Sequence, residues 1–143
     1  MEISRLIVGR ASGDIVRCEA ATKVRDAVAL LAEHRIGALP VIEGGKVAGI
    51  FSERDMLYCM AKEGGNALDR TVGEVMTAPA ITIAPSTHVD EALALMTRRR
   101  IRHLPVVDAE VMCGFISIGD LVKSRLDEVE RDAAAMRSYI TTA

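Results

Sequence analysis

The pattern of apolar and polar positions runs twice along this chain. Val24, Ala27, Val28 and Leu31 are spaced three and four apart, as on one face of a helix, and Val89, Ala92, Leu93 and Met96 repeat that spacing. Two short β-rich runs follow each helical run. In the first half they are residues 38–42 and 47–51, joined by Glu43-Gly44-Gly45-Lys46, whose double glycine predicts a hairpin turn. In the second half the joint is Asp108-Ala109-Glu110-Val111, without glycine, so its turn geometry is less defined. A short strand is predicted ahead of each helix, over residues 14–18 and 80–83. Thr22 and Thr87 are the expected N-caps, and Asp90, three residues after Thr87, makes a capping-box pattern. A further helix is predicted to start at Ser52 and again at Ser117.

The repetition is literal. A shift of 65 residues lays residues 15–58 on 80–123 without a gap, and 13 of the 44 aligned positions are identical. Average residue usage would give about three by chance. Each copy reads β-α-β-β-α. The predicted class is α+β, with two pseudo-symmetric repeats packed through their sheets, because one copy is too small to hide its own sheet face. The expected divisions are residues 1–66 and 67–126 for the repeats and 127–143 for a helical extension. Thr71-Val72-Gly73-Glu74 is another capping box and predicts a short helix up to Met76.

Composition narrows the function. Half of the 143 residues are hydrophobic, enough for a packed core. Aromatic residues are only Phe51, Phe115, Tyr58 and Tyr139, which argues against stacking platforms for single-stranded nucleic acid. A net charge of −2 supplies no basic field for DNA or RNA. Residues 1–14 show no signal-peptide apolar region, and no apolar run is long enough for a bilayer, so a cytoplasmic location without membrane partners is expected. Cys18, Cys59 and Cys113 are odd in number and widely spaced, which predicts free thiols in a reducing compartment and no metal site. His34, His88 and His103 form no metal-binding or catalytic spacing, and no phosphate loop or nucleophile elbow is present, so no catalytic residue or catalytic cofactor is expected.

The pattern Leu39-Pro40-Val41-Ile42 … Gly49-Ile50-Phe51-Ser52-x-x-Asp55, repeated as Leu104-Pro105-Val106-Val107 … Gly114-Phe115-Ile116-Ser117-x-x-Asp120, resembles the CBS domain family. Similar pairs occur in inosine monophosphate dehydrogenase and the AMP-activated protein kinase γ subunit. The resemblance covers roughly residues 7–126. It implies a disc-like module, usually paired with a second copy, with two clefts between repeats that often hold AMP, ADP, ATP, NAD or S-adenosylmethionine. It further implies that the motif's acid holds the ribose hydroxyls and its serine sits near ribose or phosphate. A regulatory adenine-nucleotide sensor is therefore expected, as a homodimer with an effector protein not identified by the sequence. A ligand-free interaction scaffold is the alternative.

The residues themselves fit that expectation to different degrees. The carboxylates of Asp55 and Asp120 can each accept hydrogen bonds from two vicinal hydroxyls, and the helices starting at Ser52 and Ser117 offer free N–H groups to a phosphate. Ser-x-x-Asp is also a helix-capping pattern. Its recurrence at the end of the same hairpin favours ligand binding, with capping as a compatible second role. The run Arg98-Arg99-Arg100-Ile101-Arg102-His103 is the most basic in the chain. Arg98–Arg100 read as a dipole-favoured helix end. Arg102 and His103 point to opposite faces of a strand and match phosphate-contacting positions of the family, whereas the first repeat has Gly37 and Ala38 there. The Asp120 cleft is thus the expected phosphate site, and the Asp55 cleft either takes adenosine-like ligands or stays empty. Arg54, opposite Gly119 in the other repeat, either reaches the other cleft's phosphates or is an exposed helix residue. Ile15, Val16, Ala80 and Ile81, with Leu39, Pro40, Leu104 and Pro105, are candidate adenine walls, although singly such residues are core.

Beyond the second repeat, Val122, Leu126, Val129, Ala133, Met136 and Ile140 keep spacings of four and three, with charges between them. This predicts an amphipathic helix that packs either on its own module or across a dimer.

Overall fold

Each repeat is built on a β-hairpin, and the two hairpins have the same register. The computed structural model describes residues 1–10 and 12–142; Ala11 and Ala143, inside the expected first repeat and tail, lie outside the described residues. In chain order the elements are α1 (Ser4–Ile7), β1 (Cys18–Glu19), α2 (Val24–His34), β2 (Ala38–Glu43), β3 (Lys46–Ser52), α3 (Glu53–Glu63), α4 (Val72–Val75), α5 (Val89–Arg99), β4 (His103–Asp108), β5 (Val111–Ser117) and α6 (Ile118–Thr142). The architecture is α+β, as the pattern predicts. Strands β2 and β3 pair antiparallel from Ala38↔Ser52 to Glu43↔Lys46, and β4 and β5 from His103↔Ser117 to Asp108↔Val111. A register irregularity falls at the corresponding place in each, Val41/Ile42 and Val106/Val107.

The glycine-free turn adopts the same form as its glycine-bearing counterpart. Gly44 and Gly45 have φ of 59° and 78°, and Ala109 and Glu110 have 50° and 69°. Two successive positive φ values match the twist of a two-residue hairpin, so strand twist imposes on Ala109 and Glu110 a conformation that their Cβ atoms disfavour.

Two local expectations are shifted. The first strands shrink to β1, which runs parallel to β2 through Cys18↔Val41, and to a single bridge, Ile83↔Val106. Asp14 ends a 3-10 turn, Ser12–Asp14, and both pairings start one residue past Pro40 and Pro105, which have no N–H to donate to a ladder. The helix caps move by one residue. Lys23 and His88 are the N-caps, and a capping box joins His88 to Glu91 instead of Thr87 to Asp90. The threonine hydroxyls close the preceding turns, accepting from Glu19 N at 3.1 Å and Ala84 N at 3.2 Å. The capping box of Thr71 and Glu74 forms as read.

The cores exchange segments. Val24, Ala27, Leu31, Leu39, Val41, Phe51 and Cys18 bury against Val72 from the link between repeats. Val89, Ala92, Met96, Leu104, Val106, Ile116 and Leu121 bury against Ile3 from the chain start. Backbone bonds fix both crossings: Val72 N to Thr22 O at 2.7 Å, and Ile3 N to Thr87 O at 2.8 Å. The segment leading into each repeat therefore completes the core of the other. The apolar area it buries ties the pair into one unit, and β3 faces β5 across the join.

Candidate functional site

A cleft of about 540 Å³ opens between the repeats, a size suited to a small-molecule ligand. One wall comes from the second repeat: His103 on β4, Cys113, Gly114 and Phe115 on β5, and Ser117 and Asp120 at the start of α6. The other comes from the first repeat and the chain start: Arg10, Asp14, Ile15, Val16, Ile36 and Ala38, with Ile7 and Gly9 at the edge. Each wall thus carries both apolar and charged or polar side chains.

Asp120 is held by its own helix start. Its Oδ2 accepts from Ser117 N at 2.9 Å, and Ser117 Oγ accepts from Asp120 N at 3.1 Å. This is the capping role. It occupies one carboxylate oxygen, and among the described residues no donor reaches the other, Oδ1. A cap that uses half of a carboxylate leaves an acceptor for a ligand hydroxyl. Gly119 adds room, because a Cβ there would meet only Ser117 Oγ, at 3.5 Å.

Asp55 has the same start and a different end. Its Oδ2 accepts from Ser52 N at 2.9 Å and from Ser52 Oγ at 3.0 Å, while its Oδ1 accepts from Thr77 Oγ1 at 2.8 Å. The link between repeats lies across this position. Thr77 exchanges backbone bonds with Ile50, N to O at 2.9 Å and O to N at 3.0 Å. A Cβ on Gly49 would stand 2.7 Å from both Thr77 O and Met76 Sδ. Glycine is needed there so that the link can come this close. Thr77 takes the carboxylate oxygen that Asp120 leaves open.

His103 stacks on Phe115, with ring centroids 5.5 Å apart. Burial pushes its imidazole below the usual histidine range. Asp120 and Glu53 act in the opposite sense, and Arg102 adds to the lowering. The neutral ring is therefore favoured at neutral pH. The sign for stability follows. At pH well above the ordinary histidine value of about 6.5 the ring is neutral folded and unfolded. As pH falls below that value the unfolded chain takes up a proton that the folded chain resists, so stability declines. Thermal unfolding is expected to show a larger fall in Tm between pH 7.5 and 5.5 for the wild type than for His103→Asn. Equal falls would remove His103 from this role.

Of the predicted site residues, the cleft brings together Asp120, Ser117, His103, Ala38, Ile15 and Val16. The others sit elsewhere. Leu39, Pro40, Leu104 and Pro105 are buried in the cores, and Ile81 packs on the core of the second repeat. Ala80 is half-buried outside the cleft. Arg102 is exposed and lies just before β4 begins, in a bend and not on the strand that the sequence predicts for it. Arg54 crosses to the second repeat and donates to Arg100 O at 3.4 Å, where α5 ends with φ of 55°. Ser52 and Asp55 belong to the position that Thr77 occupies. Arg10, Asp14, Ile36 and Phe115 were missed. Asp14 and Arg10 carried a signal, because extending the 65-residue shift puts them opposite Pro79 and Val75, so only the first repeat brings charge to this edge.

Two like repeats enclosing a cleft lined by both apolar and charged residues define a tandem-repeat module. The chain belongs to the CBS domain family, whose pattern matches residues 4–62 and 72–127. It is 37% identical over 135 residues to the mitochondrial CBS domain-containing protein CBSX3 of Arabidopsis thaliana, covering 91% of this chain and 66% of that protein. The chain thus spans just under two thirds of that relative's length. A protein with CBS domains from Burkholderia ambifaria MC40-6 superposes with a TM-score of 0.81 at 38% identity, covering 89% of this chain and 95% of that one. CBSX2 in complex with AMP superposes with a TM-score of 0.76 at 26% identity, covering 88% and 96%. Among the described residues no helix is long and apolar enough to cross a membrane.

Proposed function

We propose that this chain is a regulatory module that binds one adenine nucleotide, AMP, ADP, ATP or NAD, in the Asp120 cleft and does no chemistry on it. The observation that carries the reading is that Asp120, whose Oδ1 no donor reaches among the described residues, lines a cleft to which both repeats contribute. Vicinal ribose hydroxyls donate to that oxygen. The base lies against Ile15, Val16 and Ile36, and the phosphates extend toward the first turn of α6, His103 and Arg10. The AMP complex of CBSX2 supports the ligand class. A ligand touching both repeats acts only through unequal affinity for two inter-repeat arrangements, and that difference is what an effector protein reads.

Self-association is part of this reading. Leu57 and Tyr58 on α3 are 66% and 64% exposed, and Val122 and Leu126 on α6 are 45% and 58% exposed, which gives apolar area for a second copy to cover. A reducing, cytoplasmic setting fits the cysteines: Cys18 is buried among apolar side chains, and burial with the nearby Glu19 raises its thiol to about 11.

Isothermal calorimetry with AMP, ADP, ATP and NAD tests the proposal. One nucleotide bound per chain and recovered intact is the expected result. Turnover would make the chain an enzyme, and no binding by any of the four would leave an interaction scaffold.

A further inference from the structure

Helix α6 runs 25 residues, and its two sides have different fates. Leu121 is fully buried and Ser124 is 7% exposed, so that side packs on the module. Val122, Leu126, Val129, Met136 and Ile140 lie along another side and are all exposed, as is Ala133. From Val129 through Thr141 every residue is exposed, so α6 extends about 20 Å past its own module. Packing of this stretch on its own module, one of the two expectations for the tail, is not what the structure has. A lone helical stretch this short is marginal in water unless something covers its apolar side.

We infer that the end of α6 pairs with the same helix of a second copy, in parallel and in register, as a short coiled coil. The inference rests on the self-association reading above and adds the seam and its polarity. Spacings of four and three make Leu126, Ala133 and Ile140 the a positions and Val122, Val129 and Met136 the d positions. The flanking e positions are then Lys123, Glu130 and Arg137, and the g positions Arg125 and Asp132. In a parallel pair each g faces the next e of the partner, which sets Arg125 against Glu130 and Asp132 against Arg137, opposite charges both times. In an antiparallel pair overlapping the whole seam, e faces e and g faces g. Glu130 would then meet Glu130, Asp132 would meet Asp132, and Lys123 would meet Arg137, like charges each time. Arg125 is available at the flank: within one chain its partners are Glu128 at 3.2 Å and Asp90 at 3.9 Å, both at the surface. The seam begins at Val122, on the apolar surface assigned above to the second copy, so the two contacts are continuous. The module holds the tails at high local concentration, which lets a seam of under three heptads close.

Cysteine placement and charge exchange test this on the full chain. Met136→Cys, at a d position, is expected to cross-link into a covalent dimer under mild oxidation. Arg131→Cys, on the outer side, and the wild type are expected to remain uncrosslinked. Arg125→Glu and Glu130→Arg should each weaken self-association about tenfold by setting like charges together, and mixing the two variants should restore it. A dimeric wild type in which Met136→Cys fails to cross-link would overturn the coiled coil and leave the module contact standing. Cross-linking at Met136→Cys that persists unchanged in a Leu57→Glu, Tyr58→Glu background would overturn the module contact and leave the coiled coil. Failure of the mixed pair to recover would overturn the parallel register, and a monomeric wild type would overturn both readings.

Discussion

Asp120→Ala is expected to lower adenine-nucleotide affinity by about 100-fold, while Asp55→Ala changes it by less than about threefold. Two hydroxyl donors to one carboxylate are worth about 3 kcal/mol together, which is about two decades in Kd. Asp55 contributes nothing comparable, because Thr77 and Ser52 already occupy both of its oxygens. Asp120 also caps α6, and losing that cap costs about 1 kcal/mol of stability, so a fold effect has to be separated from a ligand effect. Two comparisons do this. Asp120→Asn keeps an oxygen for Ser117 N and is expected to stay near wild-type stability while still binding weakly. A 2′-deoxynucleotide, lacking one donor, is expected to lose much less on Asp120→Ala than the ribonucleotide does. Calorimetry on the four proteins reads both, and equal losses for the two ligands would remove ribose recognition from Asp120.

Gly49→Ala is expected to destabilise the fold by about 2–3 kcal/mol, and Gly114→Ala by about 1 kcal/mol or less. The positions are equivalent in the repeats but face different neighbours. A Cβ at Gly49 would meet the Thr77 carbonyl oxygen, and that carbonyl is fixed by its bond from Ile50 N. Backbone held on both sides cannot yield without breaking the strand-like crossing of the link. A Cβ at Gly114 would stand 2.8 Å from Ile7 Cγ2, the end of a half-buried side chain that can turn aside. Thermal denaturation of the two variants should give Tm losses differing by about 5 °C or more. Matching losses would mean that the link is not held against β3 as described.

The duplicated hairpins, the helix faces and the Ser-x-x-Asp starts were legible because each depends on contacts within a few residues. The identical pairing of Ala38 with Ser52 and His103 with Ser117 follows from alternation and turn length alone. What separates the two clefts was not legible. Asp55 and Asp120 sit in the same local motif, and the difference is a hydroxyl 22 residues further along the chain, delivered by the path of the link. Ile3 was hidden for a similar reason: it stands alone just ahead of a four-residue helix that has no buried side chain of its own, too short a stretch to show a periodic face, yet Ile3 fills the core of the second repeat. The prolines that mark the repeat also bear on the short first strands, whose pairings start one residue past Pro40 and Pro105. Leu39, Pro40, Leu104 and Pro105 fit the family pattern because they build the cores that position the cleft, whereas Ile15, Val16 and Ile36 line the cleft itself.

Crystals of the chain grown with AMP test the central claim most directly. The account predicts one nucleotide per chain, its ribose hydroxyls on Asp120 Oδ1, its base against Ile15 and Val16, and the Thr77–Asp55 contact intact. Nucleotide density beside Asp55 with Thr77 displaced, or an Asp120 cleft that stays empty at saturating AMP, would contradict it.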